Sequence, residues 1–102
     1  MTYPEDLTVG ALTASPKRQV AYLDGEELDL TSREFALLHY LMSKAGRIVS
    51  RDEIVEHVWG ADVRPHSNTI DVNICHLRDK IGDTNRRMIR SIRGVGYFFA
   101  VR

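Results

Sequence analysis

The period of the hydrophobic pattern changes twice along the chain. Up to Leu30 the apolar residues form short alternating runs, with the frequent hairpin turn Asp24–Gly25 between two of them. From Thr31 they recur at spacings of three and four, which is typical of helices that bury one face. After Gly82 short β-branched and aromatic runs return. The pattern therefore predicts about four antiparallel strands, then helices, then a hairpin.

The first two predicted helices have recognisable signals at their ends. Thr31 and Glu34 form one capping box at the start of the first helix, and Ser50 and Glu53 form another at the start of the second. Gly46 is placed to end the first helix in the left-handed conformation.

The third predicted helix covers about residues 67–82, with Ser67 or Asn68 as its cap and Gly82 at its end. One stripe is apolar and can face a core: Ile70, Ile74, Leu77 and Ile81. The opposite face is unusual for a surface helix, because it carries Val72, Cys75, His76 and Asp79. A helix fixed along its stripe would leave this second face open to a partner.

The order of elements predicts the fold class. Helix two, the loop of residues 60–66 and helix three make a helix-turn-helix with a long turn, and residues 88–101 make a hairpin, or wing, with Gly94 and Gly96 at its tip. We predict an α+β winged helix-turn-helix with a four-stranded N-terminal antiparallel sheet, three helices and a C-terminal β-hairpin. Residues 1–6 are expected to be a linker remnant and residues 7–102 the domain.

Charge is unevenly distributed in this chain of 102 residues, although its formal net charge is zero. Residues 1–63 carry six basic and eleven acidic side chains, a net charge of −5. Residues 64–102 carry eight basic and three acidic ones, a net charge of +5. A basic C-terminal third favours a phosphate-bearing partner. Ordinary charge scatter in a small protein is the alternative.

The outer face of the third helix has side chains suited to base edges in a major groove. Val72 fits a thymine methyl, Asn73 can pair with an adenine edge, and His76 can hydrogen-bond N7 or O6 of guanine. Arg93 projects from the wing tip, which suits a narrow minor groove. Each residue taken alone could equally be an ordinary surface residue, and the wing tip an ordinary solubilising turn.

Other residues are placed to contact the DNA backbone. Asn68 and Thr69 lie in the first turn of the helix, where amides and hydroxyls meet phosphate. Arg78 and Lys80 lie on opposite flanks and could each reach one strand. Further arginines stand behind the wing tip: Arg86, Arg87 and Arg90.

Several kinds of chemistry have no candidate residues. The four histidines lack cysteine or carboxylate partners at metal-ligand spacing, and Cys75 and His76 are badly placed for a nucleophile and its base. We expect neither an enzyme nor a cofactor. The single cysteine and the absence of an apolar run of about 18 residues fit a cytoplasmic protein with no membrane span.

Four stretches in order resemble the DNA-binding effector domain of OmpR/PhoB-type response regulators: "LTSREFALLHYL", "GRIVSRDEIVEHVWG", "NTIDVNICHLRDKIG" and "IRSIRGVGYFFAV". The resemblance covers about residues 7–102. It implies binding to direct-repeat promoter sites on double-stranded DNA and regulation of transcription through RNA polymerase, contacted by the loop of residues 60–66. It also implies a phosphorylatable receiver domain and a sensor kinase as partners if the chain is part of a longer one.

By position, the resemblance implies base reading by Val72, Asn73 and His76 and minor-groove contact by Arg93. It implies DNA-backbone contacts by Trp59, Asn68, Thr69, Arg78, Ser91 and Tyr97, to which the charge pattern adds Lys80 and Arg87. Many relatives carry arginines at the positions of Cys75 and His76 and a basic residue at Asp79. This departure weakens the phosphate attraction and favours neutral hydrogen bonds, and Asp79 could orient the His76 ring.

The sequence favours a sequence-specific transcription regulator that is monomeric off DNA, and two other functions are alternatives to it. One is a protein-interaction module that reuses the winged helix, and the other is an enzyme. Failure to bind any duplex at low salt would favour the first, and a pocket of convergent titratable groups would favour the second.

Overall fold

The computed structural model describes residues 3–60, 65–66 and 68–101. The strands are β1 (Leu7–Val9), β2 (Leu12–Ser15), β3 (Val20–Leu23), β4 (Glu26–Glu27), β5 (Ile48–Ser50), β6 (Ile89–Ile92) and β7 (Gly96–Phe99). The helices are α1 (Ser32–Ser43), α2 (Arg51–Ile54) with a π-helical continuation (Val55–Trp59), and α3 (Thr69–Lys80). The predicted winged helix-turn-helix is confirmed.

The N-terminal strands form an antiparallel sheet in the order β1-β2-β3-β4. Its inward side contributes Leu12, Ala14 and Ala21, all fully buried, to the core. Asp24 and Gly25 both have positive φ, at 52° and 84°, which suits the tight turn between β3 and β4. The predicted meander of four strands is therefore confirmed.

Helix α1 begins as the sequence predicts and ends differently. The capping box is complete, with the Thr31 hydroxyl 3.1 Å from the Glu34 amide and the Glu34 carboxylate 2.9 Å from the Thr31 amide. Gly46 has the expected positive φ of 87°, but it lies beyond the end of the helix and its amide donates to the Phe99 carbonyl at 2.9 Å. The prediction that Gly46 caps α1 is wrong, because this residue ties the helix end to β7.

Strand β5 was not predicted from the sequence. It has only three residues and pairs antiparallel with β7, which gives the second sheet the order β5-β7-β6. A three-residue segment shows no clear alternation, and its partner lies far along the chain. Ser50 then caps α2, its hydroxyl accepting the Glu53 amide at 3.0 Å.

Helix α3 ends with the predicted glycine. Gly82 has φ of 73°, its amide lies 3.3 Å from the Asp79 carbonyl, and the Asp83 amide donates to the Arg78 carbonyl at 2.8 Å. These two bonds form a Schellman motif. At the start of α3, Asn68 holds the cap position, but its side chain makes no capping hydrogen bond, so that part of the prediction is wrong. Ser67 lies outside the described residues.

The loop predicted to contact RNA polymerase, residues 60–66, is described only at Gly60, Pro65 and His66; Arg64 and its three predecessors lie outside the described residues. Within the part of the chain that is described, no helix is long and apolar enough to cross a membrane.

Candidate nucleic-acid interface

The two sides of α3 differ as the sequence predicts. The stripe is buried against the core and α1: Ile70, Ile74, Leu77 and Ile81 are each at most 3% exposed. On the opposite side Val72 is 42% exposed, and Cys75, His76 and Asp79 are also exposed. The core fixes the helix along one side, and the other side is open.

The wing lies beside this open side. Its turn is closed by the Val95 amide, which donates to the Ile92 carbonyl at 2.9 Å, and Gly94 has φ of 74°. Arg93 is exposed at this tip. A groove of about 190 Å³ runs between the start of α3 and the tip, with Asp71 on one wall and Arg93 on the other.

A larger groove, about 520 Å³, follows the outer face of α3. One wall is formed by Cys75, His76 and Asp79 of α3, and the other by residues before and within β6, including Thr84, Arg86 and Ser91. The outer face of the helix and the wing therefore border one continuous surface.

Arg78 joins α3 to β6. Its Nε and Nη2 donate to the Ile89 carbonyl at 3.0 and 2.7 Å, and Nη2 also donates to the Ser91 hydroxyl at 2.9 Å. Burial lowers the pKa of the Arg78 guanidinium. Arg78 and Ser91, both expected to meet the DNA backbone, thus have partners within the protein.

Tyr97 makes a second connection between wing and helix. Its hydroxyl donates to the Asp71 carboxylate, which also accepts from Arg51 Nη1 at 2.6 Å. Burial and the Asp71 hydrogen bond raise the pKa of Tyr97 to about 12, while the hydrogen bonds from Arg51 and Tyr97 lower the pKa of Asp71. Tyr97 is 5% exposed, so its hydroxyl serves this connection in the free protein.

The chain entering the wing is fixed by Asp83, which the sequence analysis did not single out. This carboxylate is 4% exposed and accepts three backbone amides, those of Arg87, Met88 and Ile89, at 2.9, 3.0 and 2.9 Å. An aspartate directly after a helix-ending glycine is a turn signal that could have revealed it. It positions Arg87, whose side chain is exposed.

A buried carboxylate lies beneath the other flank of α3. Glu34 of α1 is 3% exposed, and its Oε1 accepts from Lys80 Nζ at 2.6 Å and from the Thr31 amide at 2.9 Å. Burial acts to raise the pKa of Glu34, but the hydrogen bonds from Lys80 and Thr31 outweigh it and the pKa is lowered. Lys80, predicted to reach phosphate, is instead in an ion pair with Glu34.

Glu34 is also the carboxylate that the structure places beside His76. The distance from its Oε2 to His76 Nδ1 is 3.8 Å. The sequence suggested Asp79 as the carboxylate that orients this ring, but the carboxylate within 4 Å of it is that of Glu34 in α1. The spacing of residues within α3 could not reveal this neighbour.

The remaining predicted residues are Asn73, Thr69, Asn68 and Trp59. The Asn73 amide donates to the Thr69 carbonyl at 2.9 Å, Thr69 is half-buried and Asn68 is exposed. Trp59 is half-buried at the end of the π-helical turn, with the Arg33 guanidinium 5.0 Å above its ring.

Comparison with known proteins identifies the fold family. Residues 25–99 match the family described as "Transcriptional regulatory protein, C terminal". The chain belongs to this family. This chain is 44% identical over 92 residues to the transcriptional regulatory protein BasR of Escherichia coli, and the match covers 90% of this chain and 40% of BasR. It is 39% identical over 93 residues to the Bacillus subtilis regulator PhoP, covering 89% of this chain and 39% of PhoP.

Solved structures agree with this assignment. The DNA-binding domain of E. coli CpxR superposes with a TM-score of 0.84 at 36% identity, covering 98% of this chain and all of that one. The Klebsiella pneumoniae RstA DNA-binding domain, solved in complex with the RstA box, superposes with a TM-score of 0.86 at 30% identity, covering 97% of this chain and all of that one. This chain is thus the effector domain of an OmpR/PhoB-type response regulator, a DNA-binding module of transcription regulation and not an enzyme. It spans about two fifths of the length of the two curated relatives.

Proposed function

We propose that α3 enters the major groove of double-stranded DNA while the wing tip enters the adjacent minor groove, at direct-repeat half-sites of a promoter. One observation carries the proposal: the exposed side of α3 and the tip bearing Arg93 border one continuous groove-lined surface. A helix can enter a major groove only if its outer side chains are free of the core.

Four residues are proposed to read the DNA. Val72 offers an apolar contact to a thymine methyl, and Asn73 would exchange its bond to the Thr69 carbonyl for an adenine edge. His76 would meet a further base, and Arg93 would enter the minor groove.

The proposed backbone contacts fall into two groups. Four residues are still proposed to contact phosphate directly: Asn68, Thr69, Trp59 and Arg87. The other four, which have partners within the protein, are proposed to position the helix and wing: Arg78, Lys80, Ser91 and Tyr97. The salt dependence comes from the exposed arginines of the C-terminal third, Arg86, Arg87, Arg90 and Arg93. If these neutralise about three to four phosphates, the log–log salt slope should be about −3 to −4.

The experiment compares Arg93→Ala with the matched control Arg90→Ala, an arginine behind the tip. Affinities are measured on duplexes whose flank beside the half-site is A·T-rich or G·C-rich, over a range of salt concentrations. We expect Arg93→Ala to lose about tenfold on A·T-rich flanks and clearly less on G·C-rich ones, while Arg90→Ala loses the same on both.

Three results would contradict the proposal in different ways. An equal loss on both flanks for Arg93→Ala would reduce Arg93 to a phosphate contact. A salt slope near zero would remove the electrostatic basis. No binding to any duplex at low salt would favour a protein-interaction module instead.

The wider context belongs to the same proposal. Residues 1–6 are proposed as the end of a linker to a receiver domain phosphorylated by a sensor kinase, and residues 7–102 as the folded domain. Residues 60–66 are proposed to contact RNA polymerase in the cytoplasm. We further propose that the isolated domain is monomeric off DNA, which sedimentation analysis with and without a two-site duplex would test.

A further inference from the structure

We infer that Glu34, a residue of α1 with no proposed DNA contact, fixes which nitrogen of His76 carries the proton and thereby selects the base that His76 reads. This inference rests on the proposed function, since it assumes that His76 faces a base. Glu34 acts through His76 and is a positioning residue.

The two oxygens of the Glu34 carboxylate have different surroundings. Oε1 accepts from Lys80 Nζ and the Thr31 amide, at 2.6 and 2.9 Å. Oε2 lies 3.8 Å from His76 Nδ1. The carboxylate side chain is 4% exposed, so water screens its charge weakly, and its lowered pKa keeps it ionised at neutral pH.

The 3.8 Å between Oε2 and Nδ1 is longer than a hydrogen bond, so the effect is electrostatic: the negative charge near Nδ1 favours the tautomer with the proton on Nδ1. In neutral imidazole one nitrogen donates and the other accepts, and the partner of one decides the role of the other. A lone pair on Nδ1 is repelled by the charge on Oε2, whereas an N–H there is attracted. The His76 side chain is 61% exposed, and with the proton on Nδ1 the nitrogen that it can offer to DNA as an acceptor is Nε2.

An acceptor on Nε2 changes the base that fits His76. In the major groove, adenine N6 and cytosine N4 are donors, while guanine presents only acceptors at N7 and O6. Neutral His76 should therefore select adenine or cytosine, not the guanine that the residue type alone suggests.

Substitution of Glu34 by glutamine exchanges one atom of this arrangement. Lys80 and the Thr31 amide are both donors, so the amide oxygen takes the place of Oε1 and the NH₂ group that of Oε2. The negative charge is then gone and an N–H lies near Nδ1, which favours a lone pair on Nδ1 and the proton on Nε2. Glutamine also serves in a capping box, so the start of α1 is preserved.

The first test reads the tautomer without DNA. Nitrogen-15 spectra of the imidazoles are recorded at about pH 8, where histidine is predominantly neutral, and His76 is assigned with a His76→Asn variant. We expect Nε2 to be unprotonated in the native chain and protonated in Glu34→Gln. Asp79→Asn, which removes a carboxylate from the same face of α3, should leave the native pattern. A protonated Nε2 in the native chain would overturn the inference.

The second test is selection from randomised duplexes at the same pH. At one position we expect adenine or cytosine for the native chain and guanine for Glu34→Gln, a change in preference of about fivefold or more. An unchanged motif together with the expected spectra would refute the base-selecting part. Failure to select any sequence would contradict the proposed function itself, and the spectra would still report separately on Glu34.

Discussion

The two sides of α3 show how one helix uses similar residues for opposite purposes. Ile74 is 1% exposed and packs in the core, while Val72, two residues earlier, is 42% exposed. Both are β-branched and apolar. Hydrophobicity alone therefore does not locate the interface, and the difference comes from what the fold places opposite each side.

A third group of residues lies on the border between these sides. Arg78 bonds to β6 on one flank, and Lys80 bonds to α1 on the other. Their charges are used within the protein to orient the helix. The inner side therefore supplies stability, the border supplies orientation, and the outer side is the one proposed to contact DNA.

Leu77→Ala should have the largest effect, and on stability. Leu77 is fully buried in the stripe, and truncation of such a side chain leaves a cavity. We expect the free energy of unfolding to fall by about 2–5 kcal/mol. Urea denaturation measures this change.

The DNA affinity of the same variant tests whether the two sides of α3 are independent. Per folded molecule, the affinity of Leu77→Ala should stay within about twofold of the native value, because Leu77 touches no DNA in the proposed complex. If the fully folded variant binds DNA much more weakly than the native chain, the two sides of α3 are not independent.

Tyr97→Phe should have an intermediate effect, since it removes one of the two connections between the wing and α3 and leaves that of Arg78. The loss of its bond to Asp71 should cost about 1 kcal/mol of unfolding free energy. Because folding raises the pKa of Tyr97 to about 12 from an ordinary value near 10, the native advantage is complete below about pH 10 and is lost as pH rises toward 12.

Denaturation of Tyr97→Phe and the native chain at several pH values checks this direction. The two unfolding free energies should converge in the alkaline range. A double-mutant cycle with Arg93→Ala adds the functional readout: if Tyr97 positions the wing, the two losses of DNA affinity should not add. Strict additivity would show that Tyr97 leaves the wing tip unaffected.

Local signals allowed much of the fold to be predicted. The Thr31 capping box, the Gly82 helix end and the Asp24–Gly25 turn each depend on residues within a few positions of one another. The exposed face of α3 follows from its period alone. These features are confirmed because neighbouring residues determine them.

Contacts between distant residues account for what could not be predicted. Lys80 and Glu34 are 46 positions apart, and Tyr97 and Asp71 are 26 apart. No pattern within α3 indicates that its flanking cations have such partners. Strand β5 was missed for the same reason, since its pairing with β7 brings together distant segments.

Val72→Ala should have the smallest effect on stability and still weaken binding. Because 42% of this side chain is exposed, its truncation should change the free energy of unfolding by less than about 0.5 kcal/mol. On a site with thymine at the proposed contact, the loss of the apolar contact should weaken binding about fivefold, and replacing that thymine by uracil should remove the difference between the two proteins. Cys75→Ser is the matched control, since Cys75 is exposed on the same face and should not respond to that methyl group. If Val72→Ala binds thymine and uracil sites as the native chain does, the exposed valine makes no contact with the methyl group, and its position on the open side of α3 needs a different explanation.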